Sequence, residues 1–260
     1  MNTIKKLTQN IQELENMKKY PKEIFYIRNL ELLKRKKVSI VGSRRPTPYT
    51  KQYTHEIAKK LSQNNIVIVS GAAMGVDAIA HTSAGAKNTI GVAGNGLDIR
   101  YPIINNNLIQ DIEQQGLMIS QFALGTPSTR YNFPIRNELV VALGDILIVT
   151  QADINSGTMR SVEYALKMEK EIYVLPHRVG ESEGTNKLLE NNQVKAIYNI
   201  DEFINSISLC TNDCGVEDDF LLYCKSNPTY DEAIEKYPSE VFEYELSGRI
   251  KIENGLVSVV

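Results

Sequence analysis

Three stretches of this chain carry groups suited to holding phosphate. Val38 to Thr47, VSIVGSRRPT, is a β-branched run that passes straight into Gly42, Ser43, Arg44 and Arg45. Ile66 to Val69 runs into Ser70-Gly71-Ala72-Ala73-Met74-Gly75-Val76-Asp77. Glycine lets an anion reach main-chain amides, a hydroxyl can donate, and a guanidinium can hold two phosphate oxygens at once. The third stretch, Arg130-Tyr131-Asn132-Phe133-Pro134-Ile135-Arg136-Asn137, interleaves two arginines and an asparagine with aromatics on the lead-in to a helix. Cations for phosphates and π-faces for bases are the chemistry of single-strand binding. Ser156-Gly157-Thr158 opens a further helix, whose free amides and dipole favour an anion. Asp77 reads as a helix-start or loop-pinning acid, and Gly42, Ser43 and Gly75 as parts of the same loops.

Other phosphate chemistries lack their motifs. A dinucleotide fold needs G-x-G-x-x-G after its first strand. Here that position reads Gly42-Ser43-Arg44-Arg45, and Gly94-Asn95-Gly96 lacks the third glycine. No G-x-x-x-x-G-K-[ST] occurs, so no cofactor is expected. His55, His81 and His177 are scattered, and no carboxylate pair has a spacing suited to acid–base work. Catalytic residues and a metal are therefore not expected. Cys210, Cys214 and Cys224 are too few and too late for a disulfide framework, and without a nearby histidine they make a poor zinc signature. They read as free thiols in a reducing cytoplasm. The run Lys34-Arg35-Lys36-Lys37 reads as a solvated loop and a weak auxiliary anion site.

Seven short apolar runs must position these groups: VSIV, IVIV, TIGVA, LMISQF, DILIVT, EIYVLP and KAIYNI. They are apolar on both parities, as strands covered on both faces are. Helical patterns lie between them, with Tyr49, Tyr53, Ile57 and Leu61 on one face and Val162, Ala165, Leu166 and Met168 on another. Such alternation predicts an extended Rossmann-like α/β fold: a doubly wound, mainly parallel sheet with right-handed crossovers. Ligands bind beyond the carboxyl ends of such strands. Residues 1–34 read as a helical stub, with Ile11, Leu14 and Met17 spaced as one face. Residues 35–207 form the main domain, 208–216 a linker and 217–260 a small winged-helix-like domain. In the last, three helical stretches precede a hairpin turning at Asn254-Gly255. From Val216 onward ten acidic residues face four basic ones, a net −6, which leaves +4 for residues 1–215 of a total −2. A polyanion should meet the first part. No apolar run approaches the ~20 residues of a membrane helix, and the start does not read as a secretory signal.

Taken together, these motifs resemble the DprA (Smf) family of DNA-processing proteins. The matching elements are GSRRPT at Gly42–Thr47, SGAAMGVD at Ser70–Asp77, GVAGNGLDIRYP at Gly91–Pro102, FPIRN at Phe133–Asn137, SGTMRSVEYA at Ser156–Ala165 and GTNKLL at Gly184–Leu189. They fall in the family's order over roughly residues 35–205. The resemblance implies a non-enzymatic, cytoplasmic, homodimeric protein that binds single-stranded DNA. Such a protein protects incoming DNA in natural transformation and loads the RecA recombinase onto it. It implies a DNA-binding rim of Arg44, Ser70, Gly71, Arg130, Phe133, Arg136 and Asn137, with Ser156 and Gly157 as additions, and a structural role for Tyr101-Pro102. The chain departs from the family at Glu138, where many members have arginine, and at Gln151, where glutamate is usual. Glu240, Glu243 and Glu245 on the last helix argue against DNA binding by the tail. The competing reading is a nucleotide phosphoribohydrolase of the LOG family or a nucleotide sensor. In that family's PGGxGTxxE signature, however, Ser161 takes the place of the glutamate.

Overall fold

Apolar strand residues on both parities are buried because helices cover both faces of one sheet. The computed structural model describes residues 3–209, 219–246, 248–253 and 255–259. The chain divides into two units, Met1–Asn205 and Ser206–Val260. The first runs β1 (Lys5–Lys6), β2 (Phe25–Arg28), β3 (Lys37–Val41), α1 (Pro48–Gln63), β4 (Val67–Ser70), α2 (Val76–Ala84), β5 (Thr89–Val92), α3 (Asn106–Gln115), β6 (Leu117–Ser120) and α4 (Asn132–Leu143). It continues with β7 (Ile146–Val149), α5 (Gly157–Lys167), β8 (Ile172–Val174), α6 (Glu183–Glu190), β9 (Lys195–Ala196) and α7 (Ile200–Leu209), the last crossing into the second unit. The nine strands lie in the order β1-β2-β6-β5-β4-β3-β7-β8-β9. From β6 to β9 every pairing is parallel. The architecture is an extended Rossmann-like fold, doubly wound on a mainly parallel sheet.

On one face, Val41, Val67, Val69, Ile90, Val92, Leu147 and Val149 pack against Leu139–Leu143 of α4 and Val162 and Ala165 of α5. On the other, Met118 packs against Ile109 and Ile112 of α3, while α1 and α2 pair over β4. Leu166 is exposed and so leaves the apolar face expected of α5, which buries Ser161, Val162 and Ala165.

Residues 1–34 are not a helical stub. β2 extends the sheet antiparallel to β6, placing Tyr26 opposite Ile119, and β1 pairs antiparallel with β2. Ile11, Leu14 and Met17 are buried as their spacing predicts, but around a 3-10 turn at Gln12–Asn16. A spacing of three fits the three residues per turn of a 3-10 segment as well as an α-helix. Leu14 belongs to the core shared by α4 and α5. The run Lys34–Lys37 is not an open anion site either. Lys37 is buried at the start of β3, pairs with Glu13 at 2.7 Å and donates to the Leu33 and Arg35 carbonyls. Arg35 donates to Asn65 O and to Asn88 Oδ1.

In the second unit α8 (Asp219–Cys224), α9 (Tyr230–Lys236) and α10 (Pro238–Leu246) precede an antiparallel hairpin of β10 (Ile250–Glu253) and β11 (Leu256–Val259). A Thr229–Glu232 capping box starts α9. Phe220, Cys224, Ala233, Val241, Ile250 and Val257 form its core. The 208–216 linker falls mainly on residues outside those described, as do Cys210, Cys214 and Asn254.

If residues 1–34 are integral to the sheet domain, Leu14→Ala should destabilise that unit by ~2–5 kcal/mol, the usual cost of a buried leucine. Urea denaturation measures this. A loss below ~0.5 kcal/mol, as at a surface site, would show the segment to be a loose appendage.

Candidate nucleic-acid interface

β3 and β7 lie side by side, with Val41 opposite Val149, and the chain winds away from them in opposite directions. A doubly wound sheet opens a crevice at this point, beyond the strand ends. Here it is a cavity of about 490 Å³, within the ~300–1,000 Å³ typical of ligand sites. Gly42, Ser43 and Arg44 line it from the loop after β3, and Gly71 and Ala73 from the loop after β4. Arg130, Phe133, Arg136 and Asn137 line it from α4 and its lead-in, and Ser156 and Gly157 from the start of α5. Phe133, Arg136, Asn137 and Val140 share a face of α4 at spacings of three and four. Thus eight of the nine residues expected on the DNA-binding rim meet at one cavity.

The ninth, Ser70, does not line it. Its side chain is buried in the sheet, and Oγ donates to Ile40 O at 2.7 Å. Arg136 faces the cavity but is only 4% exposed. Its Nη1 donates to the carbonyls of Gly71 and Val92, the latter at 2.9 Å, and Nε donates to Asn137 Oδ1 at 3.1 Å. This arginine is a strut inside the wall, tying α4 to the ends of β4 and β5. Gly71 is required by that strut, because a Cβ there would land on the guanidinium. Burial lowers the Arg136 pKa, the charge of Asp77 opposes that shift, and the charge of Arg44 adds to it.

Asp77 sits beneath the same loop, where Oδ2 accepts from the amides of Gly71 at 3.2 Å and Ala73 at 3.4 Å. Burial pushes its carboxyl pKa up, while Arg136, those amides and the Ser70 hydroxyl pull it down. Gly75 has φ +81° and packs against the Ser43 carbonyl and Arg44 backbone, where a Cβ would overlap both. Val76 N donates to Ser43 O at 3.1 Å, fixing the loop after β3 on the start of α2. Ser43 Oγ turns inward to accept from Arg45 N. Gln151 joins the loops after β3 and β7, its Oε1 accepting from Thr47 N at 2.9 Å. Glu138 points away from the rim, accepting from Lys18 N at 2.9 Å.

The exposed cations rest on aromatic rings. The Arg44 guanidinium carbon lies 5.1 Å from the Phe133 ring centroid. Arg130 lies 4.8 Å from the Tyr131 ring and donates to its hydroxyl. Tyr101, assigned a structural role from sequence, is half exposed and stacks on Phe133 at 6.1 Å and 29°. A smaller cleft of about 30 Å³ continues the crevice past Arg44 and Phe133 to Met74 and Tyr101. The signal for Tyr101 was available: an aromatic in the loop after β5, a neighbour of β4 in the sheet. Among the described residues no group of three or more His, Cys, Asp or Glu is placed to hold a metal. Nor does any described helix have the length and apolarity to cross a membrane.

A family model described as DNA recombination-mediator protein A matches residues 6–208. The chain belongs to this family. It is 37% identical to protein Smf of Synechocystis over 158 residues, 59% of this chain and 40% of that protein. It is 35% identical to DNA processing protein DprA of Streptococcus pneumoniae over 175 residues, 65% of this chain and 61% of that one. The matches thus span less than two thirds of these curated relatives. Among solved structures it is similar to DNA processing protein A of Helicobacter pylori, a protein with a described single-stranded DNA binding mode. That likeness has a TM-score of 0.77 and 41% identity, covering 80% of this chain and 98% of that one.

The strut makes two changes interdependent. Gly71→Ala should cost ~1–3 kcal/mol by overpacking. Adding Arg136→Ala should recover part of that loss, so the double mutant departs from additivity by more than ~0.5 kcal/mol. Additive losses in denaturant titrations would contradict the contact. Behind the loop, His81 is fully buried, its Nδ1 is 2.5 Å from Thr89 Oγ1, and burial lowers its pKa to about 4. Unfolded, it would titrate near ~6.5. The unfolded chain therefore takes up the proton first, and the contribution of neutral His81 is lost as pH falls from ~6.5 towards 4, by up to ~3 kcal/mol. Denaturation at pH 7 and 4.5 should show a smaller acid loss for His81→Gln than for the wild type. Equal losses would contradict this.

Proposed function

We propose that this chain binds single-stranded DNA in the crevice as a non-enzymatic recombination mediator. It protects incoming strands during natural transformation, loads the RecA recombinase onto them, and works as a cytoplasmic homodimer. The observation that carries the DNA-binding reading is the mouth of the crevice. There Arg44 lies over Phe133 and Tyr101 stacks beside it, offering charge and π-surface to an unpaired strand. The single-stranded DNA binding mode of the similar Helicobacter pylori protein supports the same reading.

In this reading Arg44 and Arg130 hold phosphates and the rings hold bases. Gly42, Ser43, Gly71, Gly75, Asp77 and Arg136 keep the walls in place. A phosphoribohydrolase would need a free carboxylate against a glycosidic bond. Asp77 is held by amides, Ser161 takes the position of that family's glutamate, Glu163 is exposed on α5, and Asp153, which also lines the cavity, is solvent-exposed and lies outside that signature's glutamate position. The second unit has the helix and hairpin order of a winged helix. Its α10 exposes Glu243 and Glu245, which phosphate would repel, so its partner is a protein or a basic surface.

Two outcomes test this. Arg44→Ala with Arg130→Ala should weaken oligo-dT binding by at least ~10-fold in fluorescence anisotropy. It should also flatten the salt dependence by ~0.7 log units per lost phosphate contact. Unchanged affinity would remove the crevice from the account. Deleting residues 216–260 should leave oligo-dT affinity within ~2-fold. A large loss in a truncated protein that stays folded and dimeric would overturn the assignment of the acidic unit.

A further inference from the structure

Beyond Tyr101 the loop after β5 turns apolar and stays in water. Ile103 and Ile104 follow Tyr101-Pro102 and are 83% and 77% exposed. Met74, in the loop after β4, and Tyr101 are each nearly half exposed, and both line the smaller cleft together with Pro102. The isoleucines sit on a 3-10 turn, Ile103–Asn105, that directly precedes α3. This turn is braced. Asn105 Nδ2 donates to the carbonyls of Ala72 and Ala73, each at 3.0 Å, and Asn105 N donates to Pro102 O at 3.0 Å. It is thereby tied to the loop after β4, which lines the crevice through Gly71 and Ala73. Earlier in the same loop Asn95 Nδ2 donates to the carbonyls of Gly96 and Ile99. Two side chains that are stiff at χ1 are thus held exposed on a fixed turn. Covering them is favourable, and little freedom is left to lose when they are covered.

This ridge has no cation to spare for a phosphate. Arg100 is the only basic residue from Gly94 to Asn105, and it gives Nε and Nη2 to the Glu113 carboxylate at 3.0 and 2.7 Å. Asp98, in the same loop, accepts from Gly125 N at 2.9 Å and adds negative charge. What the turn presents is aliphatic surface, which suits the face of a base. Isoleucine and methionine are among the side chains that proteins insert between base steps. Parting bases costs least where the strand is already unpaired. The ridge is also continuous with the crevice. Three Cα steps of about 3.8 Å separate Tyr101 from Ile104, so their Cα atoms are at most ~11 Å apart. An aromatic stack of Tyr101 on Phe133 is therefore followed at once by an aliphatic one.

We propose that Ile103 and Ile104 form an aliphatic wedge that enters the base stack of a single strand as it leaves the crevice past Tyr101. The occupant is the unpaired bases next to those held at Phe133. This inference rests on the DNA-binding reading above. It adds a second, uncharged contact that needs separated bases, which a duplex supplies only by giving up stacked pairs.

The test compares the full chain with the double variant Ile103→Ser, Ile104→Ser. Anisotropy against oligo-dT of increasing length should give equal affinity for the shortest strands that bind. At the length where wild-type affinity levels off, the variant should bind about tenfold more weakly. The salt slope should be the same for both, because no phosphate contact is lost. In a strand of that length, 2-aminopurine at the wedge should brighten on binding wild type, because the base loses a base neighbour; the variant should not show this. The melting temperature should not change, because both side chains stand in water. Equal affinities at every length, a loss that is the same at every length, or a fluorescence pattern shared by both proteins would overturn the proposal. So would a variant altered only in its sedimentation, which would assign the ridge to a protein contact. If the unmodified protein binds no strand, the DNA-binding reading falls and this inference with it. If it binds and the variant matches it, only this inference falls.

Discussion

The crevice depends on one buried guanidinium. Arg136 projects from α4 into the space a side chain at Gly71 would fill, and donates to the carbonyls of Gly71 and Val92. Those carbonyls lie at the ends of β4 and β5, so one side chain fixes two strand ends and the helix facing them. A buried cation is costly unless its donors are used and an opposite charge is near. The two carbonyls take Nη1 and Asn137 takes Nε, and Asp77 supplies the charge. Asp77 in turn holds the amides of Gly71 and Ala73. Loop, strand ends and helix thus form one connected polar network, and truncating any member would leave another buried and unpaired.

From that network follows a division of labour between similar residue types. Arg136 and Ser70 are buried and bonded to main-chain carbonyls, whereas Arg44 and Arg130 are exposed and rest on rings. Each exposed guanidinium keeps one face open while its contact with an aromatic limits its freedom, which under the proposed function would lower the ordering cost of holding a phosphate.

Much of this was legible in the sequence. The seven central strands announced themselves by β-branched runs on both parities, and the rim by small and polar residues directly after them. Two things were not legible. The residues preceding β3 show a spacing of three that a 3-10 turn satisfies as well as a helix, and Phe25–Arg28 is a short strand with only Ile27 fully buried. The second was direction. Residue type places a serine or arginine at a strand end but does not say whether it faces ligand or protein. Close approach at Gly71 shows Arg136 braced within the wall while it still borders the cavity, and the Ile40 carbonyl takes the Ser70 hydroxyl. Tyr101, assigned to structure, exposes half its surface beside Phe133.

The central claim is that this crevice reads an unpaired strand through charge and exposed bases together. Fluorescence anisotropy of the unmodified protein, with matched single- and double-stranded oligonucleotides at one salt concentration, tests it most directly. Ring stacking is open to unpaired bases and closed to a duplex, so the single strand should bind at least ~10-fold tighter, the worth of one stacked base. Equal affinity, or a preference for the duplex, would contradict the account.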